Sequence, residues 1–364
     1  MNFSELTIVC VTYGRPKYVG RLIKYWQIYF KDAKIYILDG SNQKLEDKYL
    51  NMIKEKNINY IHMQNVGIFK RYTYIKNILK TKYFQLVADD ELFTSTGIKN
   101  CLEFLENNPA YSSCCGKMIL FTPLLKKEVF AFSPYNLYSN EDSVRSQRVK
   151  SWLEYSQPNT IYSITRSENY IKILNECLKI NEKIFSKPQI FFEELVEIGL
   201  VYQGKTKIIN ELMWLRSIEN ERIGFEDDDD RPEMIVYNEN HEKKKFFFDN
   251  VIQNYLKNFE LSGNDPTSFD LKSLYSEWLE LTRKNINKNN SFFINLFKLN
   301  FIKKYLFKII PKNIKKKIRF HLKLNGPEII SFLQSNNKGI IFDKKEILEI
   351  KRFILDFHND KFYK

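Results

Sequence analysis

Residues 83–91 read YFQLVADDE, an apolar run of strand character that delivers three consecutive carboxylates, Asp89, Asp90 and Glu91, to its end. Three earlier segments have the same strand character: Leu6–Thr12 (LTIVCVT), Lys34–Leu38 (KIYIL) and Asn59–Met63. Helical segments are expected between them. Lys17–Phe30 places Val19, Leu22, Ile23, Trp26 and Phe30 at helical spacing, and Lys44–Lys56 and Ile68–Leu79 follow suit. A further helix, Thr94–Asn107, comes after the acidic triplet, with Thr94 or Ser95 as its N-cap. Strands alternating with helices of this length imply right-handed βαβ units around a parallel sheet. Ligands gather at the carboxyl ends of such strands. Thr12, Asp39-Gly40-Ser41, Gln64-Asn65 and Asp89-Asp90-Glu91 all fall there, so the expected fold is α/β and Rossmann-like, with a nucleotide site on one edge.

Beyond Pro109 the rhythm is less regular. Tyr111–Phe121 and Glu128–Phe132 read as strands, Val144–Tyr155 and Ile190–Gly199 as helices, and Thr206–Leu215 as a strand. The run Glu226–Asp230 reads as a solvated loop, and Pro232 opens a long, mostly helical tail. The chain of 364 residues is therefore divided into an α/β domain, 1–220, and a mostly helical C-terminal region, 221–364.

The net charge of +13 is local. No Asp or Glu lies between Leu281 and Pro327, a window with thirteen Lys and Arg; removing these from the 57 leaves 44, equal to the 44 acidic residues. Within this basic amphipathic segment, 283–326, six Phe fall between Phe292 and Phe320. Cations interleaved with bulky apolar residues suit an anionic membrane surface. Phosphate binding on nucleic acid also needs clustered cations, but such a run of Phe exceeds what backbone binding requires. A packed helical subdomain with a basic face is the third alternative.

Five cysteines, odd in number and without Cys-x-x-Cys spacing, point to neither a disulfide framework nor a zinc site, and to a reducing cytoplasm. The opening residues show no secretory leader, and no apolar run reaches the roughly 18 residues of a spanning helix. The four histidines form no metal pair.

Carboxylates raised to a sheet edge suit a hard divalent cation, Mg or Mn, bridging them to a diphosphate and neutralising charge on a departing nucleotide. The bland alternative is a solvated turn that ends a strand. Asp39-Gly40 is likewise either a nucleoside contact or a simple turn. Arg71 is either a ligand or a solvated helix residue, and Asn65 is either a ligand or a helix cap.

Taken together, TIVCVTYGRPKYVGRLI at the start, LDGS at 38–41, NVGIFKRYTYIKN at 65–77 and VADDE at 87–91 resemble the family-2 glycosyltransferases of the GT-A fold. The likeness covers about the first 120 residues. It implies that Thr12, Tyr13 and Arg15 border a nucleotide, that Asp39 contacts base or ribose, that Arg71 and Asn77 lie toward the diphosphate, and that Asn65 and Asp90 belong to the nucleotide-sugar site. It also implies that Asp89 and Glu91, flanking Asp90, are the outer members of an Asp-x-Asp-type metal site. The chain departs from the family pattern at Leu38, Tyr72 and Glu91. A late acidic pair, Glu193-Glu194, would supply the general base, or is simply a pair of exposed carboxylates near a helix start. Trp214 and Arg216 stand where the family often places an aromatic and a basic residue by the donor phosphates.

The expected activity is therefore inverting, Mg- or Mn-assisted glycosyl transfer from a nucleotide-sugar to a glycan or lipid-linked glycan. It would take place in the cytoplasm, on the inner face of the membrane. A catalytically silent carbohydrate- or membrane-surface-binding protein on the same fold is the alternative.

Overall fold

The computed structural model describes residues 2–53, 56–122, 129–132, 137–155, 161–179, 188–217, 219, 253–262 and 339–359. The acidic run 226–230 and the basic segment 283–326 lie outside the described residues.

The first half is built as strand–helix repeats: β1 (Leu6–Thr12), α1 (Pro16–Tyr29), β2 (Lys34–Asp39), α2 (Asp47–Leu50), β3 (Ile58–His62), α3 (Ile68–Ile78) and β4 (Tyr83–Val87). β1, β2, β3 and β4 are parallel and lie in the spatial order β3-β2-β1-β4. Residues of β1 alternate between faces. Leu6, Ile8 and Cys10 enter one hydrophobic core and Val9 the other. Both faces are thus covered, as a parallel sheet requires. Pro16 opens α1, where its missing N–H costs nothing.

The second half adds β5 (Leu92–Phe93), α4 (Ser95–Asn107), β6 (Tyr111–Phe121), β7 (Phe130–Phe132), α5 (Arg145–Tyr155), β8 (Ile164–Arg166), α6 (Ser167–Cys177), α7 (Pro188–Gln203) and β9 (Lys205–Ser217). The nine-stranded sheet continues from β4 through β8, β6 and β9 to β5, with β7 paired to β6. β8 runs antiparallel to both β4 and β6, while β6 and β9 are parallel. This is the α/β layout expected from the sequence: a parallel half joined to a mixed half.

Two helices from beyond residue 220 complete the cores. In α8 (Gln253–Ser262), Tyr255 and Leu256 join the core that holds Val9. In α9 (Lys344–His358), Ile347, Ile350, Phe353 and Ile354 join the core that holds Leu6 and Ile8. Glu346 of α9 also accepts hydrogen bonds from the backbone N–H of Ser95 and Thr96 and from the Ser95 hydroxyl, capping α4 from outside. Thr94 caps the same helix from within, accepting from Gly97 N at 3.1 Å.

Two sequence expectations are corrected. The helix expected over Lys44–Lys56 is one turn, Asp47–Leu50. Leu45, Tyr49 and Met52 are all buried, so their helical spacing records contact with the core rather than helix length. The segment after Asn140 also holds more structure than expected: β8 is too short to announce itself, whereas α6 carries Tyr170, Ile173, Leu174 and Cys177 on one buried face. Among the described residues, no helix is long and apolar enough to cross a membrane.

Candidate active site

The register of the sheet sets the site. Cys10 pairs with Val87, so two residues further on Thr12 stands level with Asp89. The Thr12 hydroxyl donates to Asp89 Oδ2 at 2.7 Å. Thr12 also pairs with Asp39, and Asp39 with His62. Four strand ends thereby meet along one edge.

Tyr13, 47% exposed, stands on this edge between two cavities that share Thr12, Tyr13 and Arg15. The smaller, about 420 Å³, is lined by Asp39, Ser41, Asn42, Lys44 and Glu46 among others. The larger, about 600 Å³, is lined by Asn65, Arg71, Tyr72, Asp89 and Tyr162 among others. Both have the size of small-molecule sites.

In the smaller cavity Asp39 is buried and held in place. Its Oδ1 accepts from the Ser41 amide at 2.9 Å and from the Ser41 hydroxyl, and its Oδ2 accepts from Tyr60 OH at 2.7 Å. Gly40 leaves room for this network: a Cβ there would lie 2.5 Å from Cζ of Arg71, so any larger residue must push the guanidinium aside. Arg71 is buried rather than solvated. Its Nη1 donates to Thr12 O at 2.5 Å, and its Nε to Val66 O at 3.1 Å. Burial lowers its pKa. It ties the end of β1 to the loop before α3 while contributing to the wall of the larger cavity. Asn65, in that loop, has φ 58°, a left-handed conformation that Asn tolerates better than most residues.

Asn77 is a correction. It lies exposed on α3 and lines neither cavity. Six residues separate it from Arg71, and six helical steps of about 100° carry a side chain well round from the starting face.

The acidic turn is heavily partnered. Asp89 is 5% exposed, and burial pushes its carboxyl up to about 6 against the pull of Arg15. Arg15 Nη1 lies 2.9 Å from Asp89 Oδ1 and 3.3 Å from Asp90 Oδ2. Glu91 points elsewhere. Its Oε2 accepts from Trp214 Nε1, its Oε1 is 3.9 Å from Arg216 Nε, and it lines neither cavity. Burial pushes its carboxyl up to about 8, so at neutral pH it is largely protonated. Among the described residues, no group of three His, Cys, Asp or Glu stands together that could hold a metal ion by itself. Asp89 and Glu91 therefore do not fit the expected shared metal. The first is saturated by Thr12 and Arg15, and the second is turned into the protein by β9. Trp214 and Arg216, expected beside phosphates, instead serve Glu91.

Glu193 sits in the second turn of α7, half-buried. Its charge is among the groups that raise the pKa of Tyr72 and of Tyr162, both of which line the larger cavity. Tyr72 stacks on Phe192 with ring centroids 4.3 Å apart. The side chain of Glu194 lies outside the described residues.

Sequence reasoning missed Arg21. Fully buried in α1, it donates to Asp90 O at 2.8 Å and pairs with Glu219 at 2.7 Å. Its guanidinium lies 5.0–5.6 Å from the ring centroids of Tyr18, Phe121 and Phe357. No local signal announced it, because Arg21 lies about 200° round the helix from Val19, off the apolar stripe of Val19, Leu22 and Ile23.

No protein-family model and no curated protein sequence matches the chain. Among solved structures it is similar to S. aureus TarS. For TarS 1–349 in complex with UDP-GlcNAc the identity is 13% and the TM-score 0.42, covering 77% of this chain and 80% of that one. For another TarS 1–349 structure the identity is 12% and the TM-score 0.41, with 79% and 83% covered. A further TarS structure aligns at 11% identity and TM-score 0.41, covering 60% of this chain and 37% of that chain.

Proposed function

We propose that the protein is a glycosyltransferase that takes a sugar from a nucleotide-sugar donor. The observation that carries this reading is the pair of cavities divided by Tyr13, with Arg15 and Asp89 at their junction on the carboxyl edge of the parallel sheet. A nucleoside fits the smaller cavity beside Asp39, the diphosphate spans the junction at Arg15, and the sugar enters the larger cavity over Tyr72. Asp39 is a fixed acceptor for a ribose hydroxyl or a base N–H. Tyr13 offers an exposed ring face to the base.

Transfer with inversion then needs one displacement. The acceptor oxygen forms a bond to the anomeric carbon as the bond from that carbon to the phosphate oxygen breaks. The electron pair leaves with the nucleoside diphosphate, and the acceptor's proton passes to a carboxylate. Glu193 or Glu194 is the proposed base; the charge of Glu193 is felt by Tyr72 and Tyr162, which line the larger cavity. The basic segment 283–326 supports a lipid-linked glycan as acceptor, reached from an anionic membrane surface. Flotation with anionic vesicles tests that part, and full-length protein left at the bottom of the gradient would remove it.

The test of the activity is a thermal-shift and product-release panel of UDP-, GDP-, CMP- and dTDP-sugars, headed by UDP-GlcNAc, the ligand named for TarS. Stabilisation by one nucleotide class, with release of its nucleotide product and loss of both in Asp89→Ala, is expected. A catalytically silent binder would show stabilisation with no product from any donor or acceptor.

A further inference from the structure

We infer that Arg15, rather than a divalent cation, is the positive charge that meets the donor diphosphate; the inference rests on the sugar-transfer reading above. The acidic turn already holds its cation. One guanidinium nitrogen of Arg15 reaches both Asp89, at 2.9 Å, and Asp90, at 3.3 Å. The other Asp89 oxygen is taken by Thr12. A magnesium ion would ask for close to octahedral oxygen coordination, and would have to displace a guanidinium from two carboxylates to obtain its first two ligands. The third carboxylate cannot help, because Glu91 is 6% exposed and bonded to Trp214 on the far side of the turn.

Arg15 is well sited to take over the charge. It lines both cavities and keeps 18% of its side chain exposed, so it faces the junction where a diphosphate would cross from one to the other. Its planar fork can engage carboxylates along one edge and phosphate oxygens along another. It is also the N-cap residue of α1, a helix of fourteen residues with no acidic residue in its first turn, so the helix adds positive potential at the same place. Lys44 lines the smaller cavity and adds a further cation. As the bond from the anomeric carbon to phosphate breaks, the charge that accumulates on the phosphate oxygen meets a fixed guanidinium, with Asp89 and Asp90 holding that guanidinium in position.

The experiment uses the full chain. Manganese alone is titrated and followed by the electron paramagnetic resonance of the free ion. UDP and GDP are then titrated calorimetrically with and without EDTA into wild type, Arg15→Ala and Arg15→Lys. We expect no protein-bound manganese and a nucleoside diphosphate Kd that EDTA leaves unchanged. The Kd should rise by roughly tenfold or more in Arg15→Ala and recover in part in Arg15→Lys, which keeps the charge but not the fork. One manganese per chain in wild type, lost in Asp89→Asn, overturns the inference, as does nucleotide binding that EDTA abolishes. If neither nucleotide binds, CMP and dTDP are titrated in the same way; failure of all four removes the donor reading, whereas manganese held by the protein alone overturns the guanidinium inference.

Discussion

Replacing Glu91 with Gln should stabilise the protein, and more so as the pH rises. Glu91 is 6% exposed, and burial lifts its carboxyl from the usual 4.5 to about 8, with Asp90 adding to the rise and Arg216 and Trp214 opposing it. In the unfolded chain the same group ionises near its ordinary value. The native state therefore holds a proton that the unfolded state has released across the window from about 4.5 to 8. Its contribution is fully present below that window and is lost as pH climbs through it. At about 1.4 kcal/mol per unit, the difference approaches a magnitude on the order of 5 kcal/mol. Gln carries no charge to desolvate and keeps a carbonyl oxygen for Trp214 Nε1, so it should escape the loss. Urea denaturation of both proteins at pH 5, 6.5, 8 and 9 measures the effect. The curves should lie closest at pH 5, and the variant should already lead at pH 6.5 and gain further up to about pH 8. Parallel pH dependences, or a variant less stable than wild type at pH 8, would refute the reasoning and return Glu91 to service as an ionised ligand.

Gly40→Ala should displace Arg71, whose Cζ would lie 2.5 Å from the new Cβ. A loss of about 1–3 kcal/mol is expected, read as a fall in Tm, together with weaker donor binding; an unchanged Tm would contradict the packing. Glu193→Gln should lower the transfer rate by roughly 10²–10⁴-fold with donor Kd unaltered. If Glu194→Gln takes that loss in its place, the base is the second carboxylate of the pair. Glu346→Ala removes three hydrogen bonds from the start of α4. It should destabilise by about 1–2 kcal/mol and speed amide exchange at Ser95 and Thr96, and unaltered exchange there would show that Thr94 caps the helix unaided.

The parallel half of the fold was legible because buried strands carry continuous apolar runs while α1 and α3 carry a period near 3.6; only over Lys44–Lys56 did helical spacing overstate the helix. The carboxyl-edge argument then located Thr12, Asp39, Asn65 and Asp89 without reference to any side-chain contact. What it could not supply was direction. Asp89, Asp90 and Glu91 read as three equivalent ligands, yet the chain turns at Asp90 into β5, and Leu92 pairs with Leu215. Glu91 is carried with β5 toward Trp214, a partner 123 residues away. Arg15 read as a residue bordering a nucleotide, and nothing local to it announces that it pairs with carboxylates at the end of β4. Arg71 and Asn77 were grouped by motif spacing, and helical geometry separates them. Long-range pairing decides all of these, and a single sequence does not display it.

The placement of α9 bears on how the protein is made. Its apolar residues fill a core begun by Leu6 and Ile8, and Glu346 completes the start of α4, yet α9 ends roughly 140 residues after β9 does. At ribosomal speeds of about 5–20 residues per second, the sheet must wait on the order of 10–30 s with that flank uncovered. A nascent chain stalled or cleaved before Lys344 would leave Tyr25 without Phe353 and the start of α4 without Glu346, a ready target for chaperones and proteases. Arrival of α9 thus acts as a checkpoint on synthesis: only a chain translated through His358 covers that flank of the core.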